Sequence, residues 1–172
     1  LFHIARARFG PDAAEEYIRK TYQYARDYHD GFMLFDSLFH FAEYARLRGQ
    51  YKQIDSLIAE LESYEGQGYR LPYFRARILY VKGQAALDQG LLSEAFRCFG
   101  EAAYYHALQP EGSAGVFRFE RGLVEIRQAL DGVPHDQREQ CCAEMIAYWK
   151  SIGADTRFPE SFSQMVALCS NY

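Results

Sequence analysis

Residues 80–110 read "YVKGQAALDQGLLSEAFRCFGEAAYYHALQP", two helix-like runs with glycine at Gly83 inside the first and at Gly90 between them. A glycine in a helix interior costs about 0.8–1.0 kcal/mol relative to alanine, so the two positions need different explanations. Gly83 lies among Leu79, Ala85 and Ala86, where removing a side chain lets a neighbouring helix approach the backbone. Gly90 follows the last residue of that apolar rhythm, where a left-handed residue ends a helix. In the second run Ala95 and Ala102 are small for the same reason as Gly83, and Phe99 fills the space between helix pairs.

The same punctuation recurs outward from this stretch. "RFGPDAAEEY", "LRGQYKQIDSL", "DQGLLSEAF" and "LDGVPHDQRE" place glycine at Gly10, Gly49, Gly90 and Gly132, at intervals of 39, 41 and 42 residues. Periods of this size signal helical arrays. Between them fall second breaks, at Gly31, at Glu65–Pro72 and at Gln109–Gly115. The spacing predicts helices over Pro11–His29, Phe32–Arg48, Tyr51–Glu65, Pro72–Gln89, Leu91–Leu108, Ala114–Leu130, His135–Ser151 and Pro159–Cys169. Ile54, Leu57, Ile58 and Leu61 form one apolar stripe, and Val116, Phe119, Leu123, Ile126 and Leu130 another,. Pro11, Pro134 and Pro159 suit first helical turns,. The fold class is all-α.

Composition narrows the function classes. The 172 residues are 49% hydrophobic, 24% charged and 16% aromatic, with 14 Tyr and 13 Phe against one Trp, a ring content that demands packed interfaces. A net charge of −4 and interleaved acidic residues speak against a nucleic-acid grip,. No apolar run reaches membrane-spanning length. The start, "LFHIARARFG", lacks both Met and a signal-peptide layout, and reads as the inside of a longer protein,. Cys98, Cys141, Cys142 and Cys169 show no C-x-x-C spacing and read as reduced thiols of a cytoplasmic chain,. His135 with the last three cysteines has no usual ligand spacing, and there is no phosphate loop or nucleophile elbow, so neither enzyme nor cofactor is expected,. His29, His40 and His106 read as packed or capping groups, and Tyr64, Tyr69, Tyr73, Tyr104 and Tyr105 as packing, with partner contact second.

Leu79-x2-Lys82-Gly83-x2-Ala86, then Ala95-x3-Phe99, Ala102 and Pro110, resembles the tetratricopeptide repeat pattern,. Lys82 stands where that family usually has Leu and Ala86 where it has Tyr. The preceding unit is looser, with Leu38, Phe41, Ala42 and Ala45, then Ile54 and Ile58. The period is longer than the family's about 34 residues. The resemblance implies a TPR-like α-solenoid of about four antiparallel helix pairs. Its units are 1–30, 31–70, 71–110 and 111–152, with an extra C-terminal helix over 158–170, all in a single domain of 1–172. Such arrays are similar to the C-terminal sensor regions of bacterial STAND-type signalling ATPases, a likeness shared by "AYWKSIGADTRFPESF", residues 147–162.

That resemblance implies a non-enzymatic protein- or peptide-binding module, a sensor or scaffold of a larger signalling protein. The concave face would be lined by first helices: Asp36, Phe39, Glu43 and Arg46, then Arg77, Tyr80 and Gln84, then Arg118, Arg121, Glu125 and Gln128. Arg77, Arg118 and Arg121 together suit carboxylate or phosphate groups of a partner,. The alternative is self-association through the ends of the stack, giving a homo-oligomer.

Overall fold

The computed structural model describes residues 11–64, 71–108 and 113–172, and every element among them is a helix. They are α1 (Pro11–Asp27), α2 (Gly31–Leu47), α3 (Lys52–Glu62), α4 (Leu71–Asp88), α5 (Leu92–Ala107), α6 (Ser113–Asp131), α7 (His135–Ser151), α8 (Ala154–Arg157) and α9 (Pro159–Cys169). The all-α expectation holds, and no helix among the described residues is long and apolar enough to cross a membrane. The Gly10 break and Tyr69 lie outside the described residues.

Three of the turns use one device. Gly49 and Gly90 take the left-handed conformation, φ +69° and +75°, and the residue after each donates its amide five residues back, Gln50 to Ala45 and Leu91 to Ala86. This ties off the orphan carbonyls at the ends of α2 and α4. At the end of α1 the same bond runs from Asp30 to Ala25, 2.9 Å. The left-handed residue there is His29, φ 55°, within the break that the sequence placed near Gly31. Gly31 instead opens α2 as a buried residue, while the Asp30 carboxylate accepts from the Met33 amide and caps the helix. Gly132 marks a turn, as the spacing predicts, without entering the left-handed region, and its amide donates to the Ala129 carbonyl at 3.2 Å. Pro134 precedes α7 as its N-cap, whereas Pro159 does occupy the first turn of α9.

The chain divides into two compact units, 1–82 and 83–172, the division falling inside α4. In the first, α1 packs on α2 and α2 on α3. Phe35, Leu38, Ile54, Leu61 and Phe74 are almost fully buried there. Phe74 of α4 meets Phe32 and Phe35 of α2 at ring distances of 5.5 Å, and Tyr22 of α1 donates to Glu60 of α3. Lys82, in the place of an expected Leu, reaches back to Asp55 of α3 at 2.6 Å.

In the second unit, α5 packs against both α6 and α7, and α9 against α6, α7 and α8. Gly83 is covered by the Phe99 ring. A Cβ there would stand 2.7 Å from Phe99 Cδ1 and nearer still to Cε1. Gly100 does the same for α7, with Met145 Cα 3.3 Å from where its Cβ would be. Trp149, fully buried, donates its indole N–H to the Gly100 carbonyl at 2.7 Å. Phe119, Tyr104 and Phe162 ring it at 6.0, 6.4 and 6.2 Å.

Replacing Gly83 by Ala forces the buried Phe99 ring to move and is expected to cost about 1–2 kcal/mol, overpacking outweighing the gain in helix propensity. In a Phe99→Leu background the same change is expected to be neutral or stabilising. Urea denaturation of the four variants of the cycle measures the coupling. His29 is exposed, so His29→Gly relieves its left-handed strain without losing packing, and stability should rise by about 1 kcal/mol in the same assay,.

Candidate functional site

The face of α2 carries Phe32, Asp36, Phe39, His40 and Glu43 at helical spacing, and α4 brings Tyr73 and Arg77 against it. Arg77 Nη1 lies 2.8 Å from Asp36 Oδ1. Its guanidinium rests 3.6 Å from the centroid of the Phe39 ring and 5.4 Å from that of Tyr73. Stacking of that kind contributes about 0.5–2 kcal/mol. Four of the projected residues, Asp36, Phe39, Glu43 and Arg77, are thus brought together on adjacent helices although 41 positions separate Asp36 from Arg77.

His40 joins them, and the sequence did not single it out for this. Its Nε2 is 3.4 Å from Asp36 Oδ2 and its Nδ1 2.9 Å from Glu43 Oε2. With a carboxylate at each ring nitrogen, both nitrogens must donate, which only the imidazolium can do. Burial works against that charge, but the hydrogen bonds and charges of Asp36 and Glu43 outweigh it and raise the His40 pKa above 6.5. Burial likewise opposes the charged form of Asp36, yet its hydrogen bonds from His40 and Arg77 bring it down to about 2. The signal available in the sequence was the Asp36-x3-His40-x2-Glu43 spacing, which puts all three groups on one helical face,.

The outcome is a ladder of basic and acidic groups in alternation, Arg77–Asp36–His40–Glu43. Beside it, between α1 and α2, is a recess of about 200 Å³. Ile18, Phe32 and Met33 give it apolar walls, and Asp36 and His40 its polar edge. Cofactor pockets run to about 300–1,000 Å³, so this one is of single-side-chain size. Phe32 remains 63% exposed at its mouth.

The remaining projected residues fall elsewhere. Arg46 and Tyr80 are half-buried in the first unit, and Gln84 is half-buried in the second. Arg121 and Glu125 pair with each other on α6 at 3.2 Å, and Gln128 is exposed on the same helix. The Arg118 side chain lies outside the described residues. Arg77 and Arg121 thus each pair with a carboxylate of this chain, Asp36 and Glu125. The tyrosines pack: Tyr64 meets Phe35 edge-on at 5.6 Å and Tyr104 meets Tyr105 at 5.4 Å. Among the described residues, no group of three or more His, Cys, Asp or Glu side chains is placed to hold a metal ion.

Comparison of the chain with known protein families, with curated proteins and with solved structures finds no match.

The ladder gives stability a pH signature. Asp36 has a depressed pKa, so its contribution is present above 3.8 and is lost as the pH falls toward 2,. His40 has a raised one, so its contribution is complete below 6.5 and is lost as the pH rises through its folded value,. Stability from these two groups should peak between those limits. Asp36→Asn should remove the acid-side decline, about 1 kcal/mol once solvent screening is allowed for. His40→Gln should flatten the decline above pH 6.5,. Urea denaturation from about pH 2 to about pH 9 reads both.

Proposed function

We propose that the chain is a TPR-like helical-repeat module that binds a protein or peptide segment along the α2 and α4 face of its first unit. The observation that carries this reading is the grouping on that face of an exposed phenyl ring, a recess sized for one side chain and a polar ladder. Shape, exposed ring and polar edge together suit an extended peptide that inserts one residue beside His40. The proposed repeat architecture is supported by the Gly83–Phe99 seat and by the shared turn device at His29, Gly49 and Gly90. Within a larger signalling protein such a module would serve as sensor or scaffold, with no catalysis of its own.

A second reading, self-association, is favoured by a different observation. Tyr24 and Tyr28 stack on each other at 4.4 Å while remaining 50% and 70% exposed. Paired rings with that much open surface suit contact with another copy.

Selection of a displayed random-peptide library on the intact chain should yield micromolar binders. Phe32→Ala and Glu43→Ala are each expected to weaken them about tenfold, roughly 1.4 kcal/mol, while Val124→Ser in the second unit should leave affinity unchanged. Binders indifferent to Phe32 and Glu43 would remove the assignment of this face. Light scattering on a sizing column separates the second reading, which requires a concentration-dependent dimer that Tyr24→Ser and Tyr28→Ser abolish.

A further inference from the structure

Cys142 on α7 and Cys169 at the end of α9 are not neighbours in sequence, yet the packing of α9 on α7 brings their thiols within interaction reach of each other. Both are nearly closed to solvent, 5% and 9% exposed, and both are free thiols. A disulfide requires its Cα atoms about 4.4–6.8 Å apart, a separation that directly packed helices can provide. The adjacent Cys141 is buried at 2% and, one position along the helix, is directed about 100° away,.

We propose that Cys142 and Cys169 are an oxidisable dithiol, closed by a low-molecular-weight disulfide of the glutathione class into a bond that staples α9 to α7. The thiolate of Cys142 attacks one sulfur of the small disulfide, whose S–S bond breaks, and one small thiol leaves. This forms a mixed disulfide on Cys142. Cys169 then gives up its proton, its sulfur attacks Cys142 Sγ, and the second small thiol leaves. Two electrons pass from the protein to the small disulfide, and the two protons leave with the two released thiols.

The order of attack follows from the pair's asymmetry. The hydrogen bond from Cys169 favours the Cys142 thiolate and draws that pKa down, while the same bond and burial push Cys169 up. Access comes at the end of α9. Cys169 is its last helical residue, and the turn beyond it is latched by Tyr172, whose hydroxyl donates to Asp131 at 2.8 Å beneath the Arg138 guanidinium. Releasing that turn frees the end of α9, where Cys169 lies.

The intact chain is equilibrated in glutathione buffers from fully reduced to fully oxidised, alkylated and mapped by mass spectrometry. Oxidation is expected to remove two alkylatable thiols and two hydrogens, and to yield a linked Cys142–Cys169 peptide. Cys142→Ala and Cys169→Ala should each abolish the link, and Cys98→Ala and Cys141→Ala should keep it. Tyr172→Phe should speed its formation severalfold. Hydrogen exchange of the α9 amides should slow at least about tenfold in the linked form. Four thiols still alkylatable in fully oxidised glutathione, or links that run through Cys98 or Cys141, overturn the proposal. Unchanged α9 exchange in a linked chain overturns the stapling.

Discussion

The second unit depends on two places where a helix has no side chain. At Gly83 the Phe99 ring overlaps the place a Cβ would take, and at Gly100 the backbone of α7 lies 3.3 Å from it. Because the helices come this near, the Trp149 indole can reach a main-chain carbonyl of α5 that already belongs to a helix. Burying an indole without a partner for its N–H carries a desolvation cost, so the close approach and the hydrogen bond support each other. The rings of Phe119, Tyr104 and Phe162 then close around a side chain whose one polar atom is satisfied.

The first unit solves a different problem. There the contact between α2 and α4 combines apolar rings with full charges. Phe74 lies against Phe32 and Phe35, and a turn further on Arg77 covers Phe39 while gripping Asp36. Half-buried charges are tolerated because each has an opposite neighbour, from Arg77 through Asp36 and His40 to Glu43. The ladder fixes the register of α4 on α2, since a slip by one turn would separate Arg77 from both its carboxylate and its ring.

Much of the architecture was legible because it rests on local chemistry. Gly49 and Gly90 mark turns that need positive φ, and the apolar stripes between them give helix type and nearly all the boundaries. His29 was not legible, since left-handed histidine carries no compositional flag, whereas Gly132 marks its turn without needing a positive φ. The four-residue α8 was missed: Gly153 in the left-handed region and Pro159 enclose too short a segment to show any period. For the site, helical spacing placed Asp36, Phe39 and Glu43 on one side correctly. It could not reveal that Arg77 pairs with Asp36, because that depends on which helix lies opposite. The role of Trp149 was hidden for the same reason.

The burial of Trp149 also has an optical consequence. It is the chain's single tryptophan, and it belongs to the unit 83–172. Its emission colour is therefore a private reporter of that half, blue while the indole is sealed and red once water reaches it. Loosening confined to residues 1–82 leaves the signal unchanged and must be followed through tyrosine absorbance or circular dichroism instead.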